Sequence, residues 1–517
     1  MFSTKNVLFC FMIATVLLSA NSNLIGGDAS ISKPEINLSS VIPVVNRELE
    51  IRLDNAPAGQ EIYFSIAYEG KDVLKEKAKP DDGKIIRKWT PKETGFYTAL
   101  FSFGTEKVSL EFPVVYKEIY FVAWPPVEPS ERDLRYLSSY VVCNEKDIPY
   151  WKSRGSKTLD CTAGMSRIDM GISEEEAIKK AVDYWSAPIK KGFDGIFMDE
   201  FGEYPLPEGL KKVERAGKAL IQLRKENPDM LIFPNIGGGL LREESIYIRQ
   251  SGSIALLETY PNCFIHAWGT HSWRANLDHR VMVARNTDAI WDRRKKHGTL
   301  ILLGIGCDGG GRLVPEMEDD VRYIKKTAPE MPGIGFVCGA REKQYALDTG
   351  LRKAADDLCL KYYIKPVADI REIFFSNYTP CAGQNVDIFI RVHNLGGMDA
   401  KNVKLRLYAV ESGRGKKIPI GEEIIIKKIG TGWVDIELNK EDKPRTYYEY
   451  REIEGNTYPI FQTAKKWGSN IIWIDRHVIK VSWKPGEKGC YTIIAELKPS
   501  DNYTILDGFM EKKLVVQ

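Results

Sequence analysis

Few of the residues that mark the commonest catalytic chemistries are present in this chain. Nine cysteines are scattered over 517 residues. No two of them form a CxxC pair, which excludes a zinc ribbon and a thioredoxin-type redox motif. There are six histidines and no HExxH; His266, His271 and His279 are spaced five and eight apart and do not share one helical face. Metal catalysis is therefore not expected. No G-x-S-x-G elbow occurs, which argues against a serine hydrolase, and no cysteine has a neighbouring histidine in a triad-like context. The glycine run Gly237-Gly-Gly239 lacks the Lys and Thr of a phosphate-binding loop and reads as a plain loop. Charge of one sign is also missing: Lys+Arg is 73 against Asp+Glu 70, so nothing favours a nucleic-acid partner. Beyond the N-terminus no run reaches eighteen apolar residues, so a soluble mature chain is expected. No cofactor is indicated.

What the chain does have is core-forming material, 43% hydrophobic and 11% aromatic, in a length that calls for two to four domains. Residues 1–22 read as a secretory signal: Lys5, then the apolar Val7 to Leu18, then the small-x-small Ala20-Asn-Ser22. Residues 30–117 are short alternating runs, such as Glu48-Leu-Glu-Ile-Arg-Leu53, separated by turns such as Asp81-Asp-Gly83. They predict an antiparallel sandwich. Residues 366–517 return to the same pattern, as in Val386-Asp-Ile-Phe-Ile-Arg-Val-His-Asn394, with 410–475 read as an insertion. Cys381 and Cys490 fall in this last segment and are candidates for pairing after export.

Between them, residues 118–365 alternate strand and helix. The predicted strands are Ile119–Ala123, Tyr140–Cys143, Lys157–Cys161, Gly195–Asp199, Met230–Pro234, Ile254–Glu258, Leu300–Ile305 and Ile334–Cys338. Ser173-Glu-Glu-Glu176 is a helix start, with a capping serine and acids in the first turn. Further helices are expected at 215–225, 241–250, 279–297 and 316–326. Eight such units over about 250 residues fit a (β/α)8 TIM-type barrel, whose active site lies at the strand C-termini. The predicted fold is thus multidomain: a barrel flanked by N- and C-terminal β-sandwich, immunoglobulin-like domains.

Carboxylates stand where that fold puts chemistry. Asp199 and Glu200 end the fourth strand, and Glu258 ends the sixth. Two acids on one rim, one ionised and one protonated, are the equipment for cleaving a glycosidic bond. Successive side chains alternate along a strand, so Asp199 and Glu200 cannot both face the pocket. Asp199 is preferred and Glu200 stays open. Asp194 reads as structural. Asp160 ends the third strand, Asn235 follows the fifth, and Trp124 follows the first; all three are candidate substrate contacts. Asp308, after the seventh strand, is either a third carboxylate or a cap on the turn at Gly309-Gly-Gly311. Tyr204, Tyr260, Trp268 and Trp273 are candidate platforms for sugar rings.

Gly192-Phe-Asp-Gly-Ile-Phe-Met-Asp199 resembles the fourth-strand signature G-x-D-G-x-x-x-D of several retaining α-glycosidase families, whose last Asp is the nucleophile. Together with Leu256-Leu-Glu-Thr-Tyr260, it makes the barrel resemble glycoside hydrolase family 114, the endo-α-1,4-polygalactosaminidase group. The resemblance implies Asp199 as nucleophile or stabiliser and Glu258 as acid/base. The last 150 residues or so resemble the CARDB modules, through Ala368-Asp-Ile370, Val392-His-Asn-Leu-Gly396, Asn402-Val-Lys-Leu-Arg-Leu-Tyr408, Trp483-Lys-Pro-Gly486 and Lys498-Pro-Ser-Asp-Asn502. Such modules imply spacing or adhesion. The reading is an exported glycoside hydrolase acting on an extracellular or cell-wall polysaccharide, attached to a surface through its sandwiches. Its rival is a non-catalytic carbohydrate-binding or adhesion protein on the same scaffold.

Overall fold

The structure is a computed structural model. It describes residues 33–124, 127–131, 133–201, 207–237, 240, 242–259, 273–286, 289, 291–292, 295–306, 313–338, 350–413, 415–430, 447–453, 456–462, 464–467, 470–473 and 478–517. The signal segment 1–22 lies outside the described residues. Among the described residues no helix is long and apolar enough to cross a membrane.

The first unit holds β1 (Glu35–Leu38), β2 (Leu49–Asp54), β3 (Ile62–Tyr68), β4 (Lys71–Ala78), β5 (Ile85–Trp89), β6 (Gly95–Phe103) and β7 (Glu106–Val114). They form two antiparallel sheets, ordered β1-β2-β5 and β4-β3-β6-β7. Alternate residues such as Leu49, Ile51, Leu53, Phe64, Ile66 and Phe101 pack into one core between the sheets, because the strand period of two sends one face inward.

The centre is a closed parallel barrel, with β8 (Tyr120–Trp124), β9 (Tyr140–Val142), β10 (Lys157–Ala163), β11 (Gly195–Asp199), β12 (Leu231–Ile236), β13 (Ile254–Thr259), β14 (Gly298–Gly306) and β15 (Gly333–Cys338) in sequential order. Closure comes from β15 pairing with β8, Gly333 opposite Tyr120 and Val337 opposite Trp124. All eight predicted strands are present, within three residues at each end. Connecting helices include α1 (Ile148–Ser153), α2 (Glu174–Lys190), α3 (Pro207–Glu226), α4 (Arg242–Ser251), α5 (Trp273–Asn286), α6 (Val314–Thr327) and α7 (Leu351–Cys359). Ser173 caps α2, its hydroxyl accepting from the Glu176 N–H at 3.3 Å. Ala177, Ala181 and Trp185 then form its buried stripe. The helix expected at 279–297 is displaced: α5 starts at Trp273 and ends at Asn286, and His297 instead bridges Asp292.

Among the described residues no helix of the usual length follows β8. The chain returns across the barrel through a 3-10 turn, Pro129–Glu131, and a coil held by α7. Asp356 accepts from the Tyr136 and Leu137 N–H groups at 2.7 and 2.8 Å. Arg352 forms a buried ion pair with Glu131 at 2.8 Å.

The last unit has β16 (Val367–Phe375), β17 (Val386–Asn394), β18 (Ala400–Glu411), β19 (Lys417–Pro419), β20 (Ile424–Ile429), β21 (Tyr447–Ile453), β22 (Asn456–Gln462), β23 (Ala464–Trp467), β24 (Asn470–Trp473), β25 (Val478–Trp483), β26 (Gly489–Leu497), β27 (Thr504–Asp507) and β28 (Phe509–Val516). One sheet runs β25-β17-β16-β27, and the other runs β19-β18-β26-β28 with β20 also on β18. They enclose a second apolar core. The expected insertion is therefore shorter than 410–475: β19 and β20 pair with β18, and β21–β22 and β23–β24 are separate hairpins. Cys381 and Cys490 are free and exposed, not paired.

Burial pushes the Asp356 carboxyl up to about 6, against its two backbone donors. An unfolded Asp titrates near ~3.9, so the folded state binds the proton more tightly. Stability should fall as pH rises from about 4 to about 6 and stay lower above that. Asp356→Asn keeps one acceptor and removes the buried charge. Its stability-against-pH curve, from denaturant titrations, should lose part of that fall; a curve parallel to wild type would refute the assignment. Asp356→Ala orphans two buried donors and should cost about 2–4 kcal/mol.

Candidate active site

Parity along the strands decides which side chains enter the barrel. On β11, Ile196 and Met198 pack outward against α2 and α3, so Phe197 and Asp199 point inward. On β12, Ile232 packs outward with them, which leaves Phe233 and Asn235 inward. Glu258 on β13 reaches the same space, because the Asn235 amide touches it.

That amide is the centre of the site. Asn235 Nδ2 donates to Glu258 Oε2 at 3.1 Å and lies 3.5 Å from Asp199 Oδ1, a longer contact. Asn235 itself is buried, and its Oδ1 has no hydrogen-bond partner. Asp199 is half-buried. Loss of water raises its carboxyl above the ordinary range, opposed by the Asn235 amide and the Glu200 backbone N–H.

Backbone bonds hold the end of β11 on both sides. The Gly164 N–H donates to the Asp199 carbonyl at 2.8 Å, and the Phe201 N–H donates to the Asn235 carbonyl at 2.7 Å. Gly164 is required by close approach: a Cβ there would sit 2.7 Å from the Asp199 carbonyl oxygen and 2.9 Å from Phe201 Cα. Gly237 leaves room on the other side, where a Cβ would lie 3.4 Å from Glu258 Oε2.

The remaining candidates divide. Trp124 is inward and partly open, stacked parallel on Phe197 at 6.3 Å. Glu200 is exposed and left-handed, φ 52°; the chain turns there, and its carbonyl accepts from the Met165 N–H. It is Asp199, not Glu200, that meets Asn235. Asp160 is a correction. It lies opposite in parity to Cys161, and its charged neighbours are Lys191 and Glu145 at the end of α2 and after β9. It belongs to the outer layer and does not join the pocket. Asp194 is structural as expected, accepting from the Thr158 N–H and hydroxyl at 2.9 and 3.0 Å. Tyr204, Tyr260, Trp268 and Asp308 lie outside the described residues. Trp273 opens α5, and its side chain lies outside them too.

Cys161 was not singled out from the sequence. It pairs in register with Phe197 and is hydrogen-bonded to the Trp124 side chain, so it lines the rim beside Asp199. Alternation within Thr158-Leu-Asp-Cys-Thr-Ala163 carried the signal: the apolar set Leu159, Cys161, Ala163 is the one that suits an inner face.

Fold and site together define a multidomain barrel protein with two acids tied at its C-terminal rim. By sequence, the chain matches no protein-family model and no curated protein. Solved structures similar to it include glycoside hydrolases. One is a family 39 glycoside hydrolase from Bacteroides cellulosilyticus WH2, 11% identical over 77% of this chain and 100% of that one, with a TM-score of 0.31. A cycloisomaltooligosaccharide glucanotransferase from Paenibacillus sp. is 10% identical over 93% and 71%, with a TM-score of 0.31. A CARDB domain from Pyrococcus furiosus is 14% identical over 29% and 94%, with a TM-score of 0.16. These scores are low, and the barrel is established by its own strand pairing.

The Asn235 amide favours the ionised form of Asp199. Asn235→Ala should therefore move the Asp199 titration still higher. Carbon-13 carboxyl NMR of the two proteins reads this directly, and an unchanged titration would remove Asn235 from the electrostatics of the site.

Proposed function

We propose that this barrel is an exported glycoside hydrolase, cleaving a polysaccharide with Asp199 and Glu258 as its two carboxylates. The observation that carries the reading is the single amide nitrogen of Asn235 lying against both acids. Acids from strands β11 and β13 are separated by a whole strand, and a shared neighbour brings their oxygens toward one point. An oxocarbenium-like centre between them would be flanked on one side by a nucleophile and on the other by a proton donor. Trp124, open to the rim, supplies an apolar face for a sugar ring. The resemblance to family 114 suggests Asp199 as nucleophile or stabiliser, Glu258 as acid/base and an α-linked galactosamine-containing polymer as substrate class. The antiparallel units on either side suit spacing or surface attachment.

Separation of the acids bears on stereochemistry. Two oxygens 3.1 and 3.5 Å from one nitrogen are at most about 6.6 Å apart. Amide N–H bonds diverge by roughly 120°, which gives about 5.7 Å. Retaining enzymes hold their carboxyls about 5–5.5 Å apart and inverting ones about 6.5–9.5 Å. That estimate lies nearer the retaining separation than the inverting one, which makes retention the outcome to test.

Reducing-end release from α- and β-linked polysaccharides, galactosamine polymers among them, tests the reading. Asp199→Asn and Glu258→Gln should each lower turnover by at least about a thousandfold with folding intact. Turnover unchanged in either variant would remove that residue. Binding without turnover, surviving both substitutions, would favour the non-catalytic rival. Where turnover occurs, NMR of the first-formed sugar should find the starting anomer; the opposite anomer would reject retention.

A further inference from the structure

The chain that follows β12 is held from outside the barrel. Gly237 stands two residues beyond Asn235, and its carbonyl accepts from Arg280 Nη2 at 2.7 Å. Arg280 belongs to α5, the helix after β13, which packs against β13 and β14. Leu277, Val281 and Ala284 form the buried stripe of that helix. Arg280 lies beside the stripe, three residues from Leu277 and four from Ala284. The N-terminus of α5 is at the rim, because the helix follows the C-terminal end of β13. Helical side chains lean toward the helix N-terminus, so the guanidinium is carried back toward the strand ends. Its bond runs from a helix behind β13 to the chain after β12, and so straddles the end of the strand that carries Glu258.

We infer that Arg280 is a positioning residue of the rim. By fixing the Gly237 peptide across the end of β13, it keeps Glu258 Oε2 on the Asn235 amide and so sets the direction of the carboxyl group. The same glycine touches the acid. A Cβ on Gly237 would stand 3.4 Å from Glu258 Oε2, so the Gly237 backbone walls that oxygen. Oε2 is also the atom that meets the Asn235 amide at 3.1 Å. A donor, a wall and the anchor of that wall thus converge on one carboxylate oxygen. Strand pairing does not supply the anchor, because the register of β12 with β13 stops at Ile236 opposite Leu257. A glycine just past the last pair has a wide choice of backbone conformations. On the β11 side, the Phe201 N–H fixes the Asn235 carbonyl at 2.7 Å; on the β13 side, the fixed point is Arg280. Arginine suits the task. Its guanidinium stays charged at any working pH, so the clamp does not titrate with the acids it serves, and a charged donor bonds a carbonyl more strongly than a neutral one. The bearing on turnover rests on the reading of Glu258 as acid/base, whereas the clamp itself does not.

Nitrogen-15 NMR of the full chain with selectively labelled asparagine tests this without substrate. The Asn235 side-chain amide should follow the ionisation of Glu258, because it donates to Oε2. In Arg280→Met the amplitude of that titration should fall by about half or more, since hydrogen bonds weaken steeply with misalignment. Arg280→Lys keeps a cationic donor and should keep most of the amplitude. Where the chain turns over a polysaccharide, Arg280→Met should lower kcat about ten- to a hundredfold with KM within about twofold. Arg280→Lys should recover most of that loss. Full amplitude in Arg280→Met overturns the inference. A shifted midpoint at full amplitude also overturns it, because the guanidinium would then act through its charge alone. So does amplitude lost in both variants in step with a common fall in melting temperature, which would mean that Arg280 serves folding. A wild type without turnover would count against the glycosidase reading and leave the amide titration to decide the role of Arg280.

Discussion

One side-chain amide organises the rim of this barrel. Neighbouring strands lie about 4.8 Å apart, so β11 and β13, with β12 between them, are too far apart for their acids to meet unaided. Asn235 stands on the intervening strand and spans the gap. Its position depends on register. A slip of one residue along β12 would turn Asn235 outward and Ile236 inward. The register is held from below by Gly195, whose Cβ position falls 2.1 Å from the Leu231 carbonyl oxygen. From above it is held by the bond between the Phe201 N–H and the Asn235 carbonyl. Glycine at the foot and backbone closure at the head thus fix the geometry that the two acids share.

The same logic explains where the flanking units sit. They meet the barrel at its foot, where the strands begin. Lys326 reaches Asp507 at 2.5 Å, and Arg322 donates to the Leu506 carbonyl at 3.2 Å, so α6 carries the last unit. Lys401 reaches Glu69 at 2.5 Å and the Tyr68 hydroxyl at 2.9 Å, which joins first unit to last. Exposed ion pairs of this kind add little each. The junction is set instead by buried apolar contacts: Val41, Ile42, Val115, Leu395, Met398 and Leu506 all belong to the barrel's own core cluster. A chain packed this way orients its barrel as one body with the outer sheets.

Much of the fold was legible because the barrel announces itself through short apolar strands at regular spacing. Gly195–Asp199 matched residue for residue, and Ser173 began its helix as its capping chemistry required. What failed did so for physical reasons. In the sequence Asp160 resembles a strand-end acid because the run Lys157–Cys161 gives no sign of continuing. The strand runs on to Ala163, and an outward acid with Lys191 nearby satisfies the same sequence. The helix expected to reach His297 ends at Asn286, and no Gly or Pro between 287 and 297 marks that end in the sequence. The start of the 410–475 segment is not legible as sheet in the sequence, because β19 and β20 are short strands fixed only by tertiary pairing with β18. At the site, composition located Asp199 and Glu258, but the bridging role of Asn235 is a matter of three strands and two distances, which no spacing in the chain encodes.

The identity of residue 235 matters chemically. A cation between two carboxylates would favour ionisation of both, which removes the proton donor that glycoside cleavage needs. A third acid would place three negative charges in a half-buried cleft. A neutral amide does neither. It offers hydrogen-bond donors to both oxygens without adding charge, so the difference between the acids is left to their surroundings. Asp199 is raised by burial despite its two donors. Glu258 takes the shorter contact of the pair, 3.1 Å against 3.5 Å. Unequal surroundings are how proteins in general separate two carboxyl groups that would otherwise titrate alike. The neutral bridge therefore adds no charge between the two acids and leaves the protonation of each to its own surroundings.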